Sequence, residues 1–370
     1  MPSTDEELIP AARPVIGESE IEAAVRVLRS GRVVQGPEVA AFEEEFSELV
    51  AGRSCVAVNS GTSALQLTLL ALGIGYGDEV VVPSFSFAAS ANAVRLVGAE
   101  PVFADIQPDS FCIDPAAVEA AITPRTAAIM PVHLYGHPAR MDQIMPIADR
   151  HGLAVVEDAA QAHGAALNGL PVGAFGSAGC FSFYPTKNMH ALEGGMVTTA
   201  DPEVARTLRL LRNQGMEQRY ANEIVGANMR MTDVAAAIGR EQLKQLAGWT
   251  DQRRANAAFL DEHLTGVVVP PVGAGARHVY HQYTVRASGD RDALQAALTE
   301  RGVGSGVYYP TPIHRLKPYW EPDQKHGRTW DLPQTERAAA EVLSLPVHPS
   351  LSQAHLDRIV AAVNAAGGAL

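Results

Sequence analysis

The chain has 370 residues, 47% of them hydrophobic and 19% charged, with a formal net charge of −12. That length is enough for two domains around a deep site, while the acidic balance excludes a general nucleic-acid binder, which needs a concentrated surplus of Lys and Arg. No stretch approaches the roughly eighteen apolar residues that span a bilayer, and the acidic start MPSTDEELIP has no apolar centre, so no membrane association and a cytoplasmic protein are expected. Cys55, Cys112 and Cys180 lie far apart without CxxC spacing, which predicts neither a disulfide framework nor a metal site.

From residue 52 onward, short β-branched runs alternate with segments of helical period. SCVAV, DEVVVP, PVFADI, AAIMPVHLYG and LAVVED read as strands, and SALQLTLLALG, SFAASANAVRLVG and RMDQIMPIADRHG as the helices between them. Continuous apolar runs suit strands covered on both faces, so the pattern predicts an α/β fold with a large, mostly parallel sheet flanked by helices. SAGCFSF and GGMVTT extend it as two more strands, DPEVARTLRLLRN reads as a helix, and QGMEQRYANEIVGANMRM as a loop before long helices over 232–265. GVVVPPVGAGARH has the Pro and Gly density of a crossing between domains. YHQYTVRA, RDALQAALTERG, GSGVYY and two final helices then form a smaller C-terminal α/β domain. The division is placed near residue 250, giving domains 1–250 and 251–370.

In open α/β sheets, ligands gather beyond the carboxyl ends of the strands. At the first such end, NSGTSALQL sets Gly61, Thr62 and Ser63 at a helix start, where free N–H groups favour an anion such as phosphate; a plain N-cap by Ser60 or Thr62 explains the same residues. LAVVED ends on Glu157 and Asp158, whose side chains leave the strand on opposite sides, so one of them faces a given ligand and the other does not. FSFYPTKN places Lys187 just beyond another strand end. A phosphate cradle, an inward carboxylate and a sheltered lysine are together the parts that pyridoxal phosphate requires: the lysine forms a Schiff base, the carboxylate keeps the pyridine nitrogen protonated, and the loop holds the phosphate.

NSGTSALQL, GDEVVVPSFSF, PVHLYG, VVEDAAQAHGA, FSFYPTKN, EGGMVTT, GANMRMTDVAAAIG and VLSLPVHP, in this order over residues 10–360, resemble the DegT-type nucleotide-sugar aminotransferases, a branch of the fold-type I pyridoxal-phosphate enzymes. The resemblance implies that Lys187 binds the cofactor aldehyde and that Asp158 partners the pyridine nitrogen. It implies further that Gly61, Thr62 and Ser182 bind the phosphate, that Gln161 lies by the phenolic oxygen, and that Phe87 stacks on the ring. Asn228 matches a residue that reaches the cofactor phosphate of a neighbouring subunit, with Arg230 two positions on, which implies a homodimer with shared active sites. Tyr309, His314 and Arg315 are candidates for substrate contacts. His133, His163 and His190 are expected to shape the pocket rather than act as bases, since in aminotransferases the released lysine is the base.

The resemblance also implies amino transfer from an amino acid, L-glutamate, to a nucleotide-linked keto sugar. PTKN followed by EGG points to C4 of a dTDP-4-keto-6-deoxyhexose, because C3-acting members tend to carry aspartate before the equivalent glycine. His190, Ala191 and Leu192 depart from the small residues that C4-type members show there. C3 amination, a UDP- or GDP-linked sugar, a cyclitol, and a non-catalytic regulatory protein that binds the cofactor are the alternatives; a dehydratase of the same fold has histidine in place of Lys187.

Overall fold

The computed structural model describes residues 8–325 and 327–367. Two helices, α1 (Glu18–Ser30) and α2 (Pro37–Leu49), precede the first strand. Then β1 (Ser54–Val58), α3 (Gly61–Ala71), β2 (Glu79–Pro83), α4 (Ala89–Leu96), β3 (Glu100–Ala104), α5 (Pro115–Ala121), β4 (Thr126–Ile129), α6 (Met141–His151) and β5 (Ala154–Asp158) follow, in the expected alternation but for α5, a short helix that the sequence reading did not name. Strands β6 (Ala178–Ser182) and β7 (Gly195–Thr199) complete a seven-stranded sheet in the order β1-β7-β6-β5-β4-β2-β3. All neighbours are parallel except those of β7, which runs against both β1 and β6.

Period-2 alternation decides which core each strand residue joins. Val80 and Val82 pack with Val56, Val156 and the α3 residues Leu65, Leu67 and Leu69 on one face. On the other face Val81 and Val155 pack with Ile129 and the α6 residues Ile144 and Ile147. Nearer the β1 edge, that face receives Phe42 and Phe46 of α2 against Phe181 and Phe183. Burial of each such ring contributes about 1.5–3 kcal/mol. The sheet is therefore covered on both sides, and its polar strand ends are the places where side chains of the same elements meet a cavity. The three cysteines are buried and unpaired.

Helix α7 (Pro202–Arg212) leads through the segment 213–231 to α8 (Asp233–His263), a single 31-residue helix that packs on α1 and α2 and continues straight across residue 250. Beyond it lies a three-stranded antiparallel sheet, β8 (Val267–Val268), β9 (Tyr283–Ala287) and β10 (Val342–Leu345), ordered β8-β9-β10. Helices α9 (Arg291–Glu300) and α12 (Gln353–Gly367) cover it through Leu294, Leu298, Leu356 and Ile359. Helices α10 (Lys317–Lys325) and α11 (Pro333–Glu341) lie between β9 and α12 in sequence. The expected two final helices are thus three, and the strand at Val342–Leu345 was not foreseen. GSGVYY contributes only a single bridge, Gly306 to Ser344, because two glycines and the following Pro310 leave too little continuous backbone for a ladder. Among the described residues no helix is long and apolar enough to cross a membrane.

Candidate active site

The ends of β1, β2, β4, β5 and β6 and two segments from the C-terminal part, at 281–282 and 308–309, enclose a cavity of about 470 Å³. At its base, Ser60 caps α3 by accepting from Ser63 N at 3.1 Å. The cap leaves the N–H groups of Gly61 and Thr62 without an acceptor among the described residues, and both residues line the cavity. Gly61 has no room for a side chain: a Cβ there would stand 2.7 Å from the Cβ of Ser182, at the end of β6. The helix start, the Thr62 hydroxyl and the Ser182 hydroxyl thus converge on one corner, where the helix dipole favours negative charge.

Asp158 ends β5 on the cavity side. Its carboxylate accepts from Ser90 Oγ at 2.8 Å and from Ala160 N at 3.2 Å. Burial pushes this carboxyl above its ordinary value, against the Ser90 and Ala160 hydrogen bonds and the charge of Lys187. Lys187 rides on the loop joining β6 to β7, which Phe183 closes by donating to Gly194 O at 2.8 Å and accepting from Ala191 N at 3.0 Å. The next residue, Asn188, anchors the loop by donating from Nδ2 to Val279 O at 2.9 Å. Burial pulls the Lys187 amine down to about 8, with the Asp158 carboxylate pulling the other way. An amine at that value is about one-tenth free base at pH 7, a far larger share than an ordinary lysine offers, as a nucleophile or base requires.

Phe87, after β2, is 59% exposed and presents its ring to the cavity, 5.9 Å from the ring of Tyr309. Gln161 accepts from Tyr135 N at 2.8 Å and donates from Nε2 to the Tyr309 hydroxyl at 3.0 Å. The cavity thus offers free N–H and hydroxyl donors for a phosphate, a buried carboxylate for a protonated ring nitrogen, an amine for an aldehyde and an open aromatic face. That donor set fits pyridoxal phosphate group by group.

A family model, the DegT/DnrJ/EryC1/StrS aminotransferase family, matches residues 14–364. The chain belongs to this family. It is 47% identical over 348 residues to the erythromycin biosynthesis sensory transduction protein EryC1 of Saccharopolyspora erythraea, covering 93% of this chain and 94% of that one. It is 46% identical to the dTDP-3-amino-3,4,6-trideoxy-alpha-D-glucose transaminase of Streptomyces venezuelae, covering 93% and 91%. Among solved structures, DesV of S. venezuelae superposes with a TM-score of 0.90 at 44% identity, covering 95% of this chain and 94% of that one. NtdA of Bacillus subtilis, solved with bound cofactor PMP, gives 0.91 at 32% identity, covering 99% and 86%. The protein is a sugar aminotransferase, and its cofactor is pyridoxal phosphate.

Other residues singled out in the sequence of this aminotransferase lie away from the cavity of their own chain. Asn228 is exposed and bridges to Asn213, while Arg230 donates to Asn213 Oδ1 at 2.9 Å; neither lines the cavity. His314 is buried between Ser84 Oγ, 2.7 Å from its Nδ1, and Glu336, 2.9 Å from its Nε2. Arg315 donates to the same Glu336 at 2.6 Å. Of the three candidates near residue 310, Tyr309 alone is on the cavity wall.

The histidines of the aminotransferase that tempt a general-base reading are structural neighbours of the site. His190 holds Val15 O and Leu192 N at 3.3 and 3.4 Å. His163 is packed against Phe181 and Phe183, and burial, followed by the charge of Lys187, pushes it down to about 3 against the Ser182 backbone. His133 accepts from Ala139 N through Nδ1 and donates from Nε2 to Glu157 at 3.0 Å. Glu157, on the side of β5 opposite Asp158, also accepts from the N–H groups of Gly173, Phe175 and Gly176 at 2.8–3.0 Å. Burial acts to raise its pKa, and these hydrogen bonds outweigh it and leave the carboxyl below its ordinary value. Glu157→Gln would turn an amide N–H₂ toward some of these donors, so the variant is expected to lose about 3 kcal/mol of stability in urea unfolding. A carboxylate with a depressed pKa stabilises the fold above its unfolded value and loses that contribution in acid, so the deficit should close below about pH 4. An unchanged midpoint at pH 7 would contradict the structural role.

Ser90, Tyr184, Glu193, His281 and Gln282 also reach the cavity or its carboxylate, and the sequence reading assigned none of them. Ser90 had a signal, since it opens the helix that follows the β2 end. His281 had none, because it comes from the other part of the chain.

Proposed function

We propose that this aminotransferase moves the amino group of L-glutamate onto a keto carbon of a dTDP-linked 6-deoxyhexose. The observation that carries the reading is the pairing of a half-buried amine, Lys187, with the buried carboxylate Asp158 across a cavity whose far corner is an anion cradle. When bound, pyridoxal phosphate supplies an aldehyde that joins to amines and a ring that takes up electron density from the donor's α-carbon. Lys187 would hold the aldehyde and, as a free amine, would take the α-proton of the donor. Asp158 keeps a proton on the ring nitrogen, which makes the ring an acceptor of negative charge. Gly61, Thr62 and Ser182 bind the phosphate, Phe87 packs on the ring face, and Gln161, fixed by Tyr135 and Tyr309, lies by the phenolic oxygen.

In this reading the protein works in the cytoplasm as a homodimer. Asn228, exposed and outside its own cavity, reaches the phosphate of a second copy, and Arg230 accompanies it to the substrate there. Tyr309 faces the sugar, while His314 and Arg315 act by holding Ser84 and Glu336.

C3 is the position we favour, supported by the 46% identical relative whose name carries a 3-amino sugar. C4 has support of its own in the segment Glu193-Gly194-Gly195, whose glutamate lines the cavity. To decide, the absorption of the bound cofactor is followed as L-glutamate and then dTDP-linked 3-keto and 4-keto 6-deoxyhexoses are added, and the product is located by NMR. Glutamate is expected to change the spectrum and one sugar to restore it. A spectrum that no amino donor moves would sink the catalytic reading in favour of a regulatory one.

A further inference from the structure

Beyond the residues given roles above, one titratable group on the cavity wall is unexplained. His281 lies in the turn 279–282 that leads into β9, next to Tyr280, whose backbone is left-handed with φ of 45°. A bulky residue holds that conformation, at a cost of about 1–3 kcal/mol, only where its surroundings impose it. Here they do. Val279 N donates to Gly136 O at 3.0 Å, Gln282 N donates to Tyr135 O at 3.2 Å, and Arg253 donates to Tyr280 O at 3.1 Å. Asn188, beside Lys187, grips Val279 O, and a Cβ on Gly136 would come within 2.9 Å of His281 N. The turn is thus fixed to the lysine loop and to the β4–α6 connection at once.

The ring it delivers is 6% exposed, sits on the cavity wall, and has a buried Nδ1 with no partner among the described residues. Burial, then the charges of Lys187 and Arg253, keep the imidazole neutral. Arg253 itself is buried, and among the described residues its Nε has no partner and no carboxylate pairs with it; burial alone pulls its pKa down to about 10. A desolvated guanidinium without a counter-ion is costly. The corner beside the reactive amine therefore has surplus positive charge and a hydrogen-bonding ring, whereas the acids of the wall are Asp158 and Glu193.

We propose that His281, backed by Arg253, forms the subsite for the α-carboxylate of the amino-acid donor, an inference that rests on the aminotransferase reading above. The imidazole N–H on the cavity side donates to a carboxylate oxygen, and Arg253, which does not reach the wall, is a positioning residue that holds the turn and supplies charge from behind. Of the other anionic groups of the two substrates, the sugar diphosphate is attached at the anomeric carbon, separated by ring atoms from the carbon that is aminated, and the side-chain carboxylate of glutamate stands three bonds from its α-carbon. The α-carboxylate is one bond from the carbon whose proton Lys187 takes, and so belongs beside that lysine.

The test compares the cofactor-loaded wild type with His281→Leu and His281→Asn in two single turnovers, one with L-glutamate and one with a dTDP-linked 3-amino-6-deoxyhexose in the reverse direction. Loss of a hydrogen bond to a charged group is expected to raise the glutamate concentration for half-saturation about ten- to a hundredfold in His281→Leu. The rise is smaller in His281→Asn, whose amide still donates. The amino-sugar arm, which also reports folding and cofactor binding, should stay within about twofold. Unchanged glutamate saturation in His281→Leu would overturn the subsite. Equal losses in both arms would overturn it too, since they place His281 at Lys187 rather than at the carboxylate. A wild type inert to both substrates would sink the aminotransferase reading itself, and the subsite with it.

Discussion

Lys187→Ala is expected to cut amino transfer by at least about 10³-fold, the scale of a lost positioned base, and to abolish covalent capture of the cofactor. The two losses are measured separately. After borohydride reduction, mass spectrometry should find the cofactor fixed to the wild type and absent from the variant, while a single turnover with L-glutamate follows the rate. The environment of the amine adds a pH signature. Because burial brings Lys187 down from 10.5 to about 8, the free-base fraction of the cofactor-free protein rises about tenfold per pH unit up to that value and levels off above it. The rate at which cofactor-free wild type captures added pyridoxal phosphate should follow the same curve. A rate still climbing steeply above pH 9 would show the amine to be an ordinary exposed lysine, and full turnover by Lys187→Ala would remove it from the chemistry.

That lysine was legible from the sequence for a simple reason: it follows an apolar strand, and strand ends in a covered sheet have few places to put a polar side chain other than the cavity above them. The same logic located Asp158 and the helix start at Gly61, and period-2 alternation separated Asp158 from Glu157, which turns to the far side of the sheet and is saturated by His133 and three N–H groups. It also gave the strands from β1 to β5 and the helices α3, α4 and α6 between them, but not α5, whose seven residues are too few for a helical period to show.

What escaped depended on pairing between distant segments. Nothing local in GGMVTT says that β7 runs antiparallel between two strands of opposite direction to it, because its residues are buried on both faces as in any central strand. VLSL is four residues, three of them apolar, after a helix, too short for periodicity to distinguish a strand from a last helical turn; its partner Tyr283–Ala287 decides. The contact of Ser90 with Asp158 spans 68 positions. His281 reaches the cavity through a left-handed tyrosine, a conformation that residue type disfavours and only the anchors at Gly136, Tyr135, Asn188 and Arg253 maintain. His314, expected near the substrate from its place in VYYPTPIHRL, turns toward Ser84 because an imidazole with two fixed partners is better satisfied there than on an open wall.

Asp158→Asn separates catalysis from stability more cleanly than any other substitution in the site. The amide has the shape of the carboxylate: its oxygen can accept from Ala160 N at the Oδ1 position, and its N–H₂ at the Oδ2 position can donate to the Ser90 hydroxyl. It has no negative charge with which to hold a proton on the ring nitrogen, so the rate of glutamate-driven turnover is expected to fall about 10³-fold. Stability should move the other way. A carboxyl whose folded pKa is raised stabilises the fold in acid, and that contribution is lost as pH rises through the folded value. Burial, the largest influence on Asp158, raises it, so at pH 7 the ionised side chain is a cost to the cofactor-free fold that the neutral amide removes. The melting temperature of cofactor-free Asp158→Asn is therefore expected to lie above the wild type at pH 7, and the difference should shrink as the pH is lowered toward 4 and the wild-type carboxyl takes up its proton. Near-full activity in the variant would take Asp158 out of the mechanism. A lower melting temperature at pH 7 would mean that its charge serves the fold, through Lys187 and Ser90, rather than the cofactor.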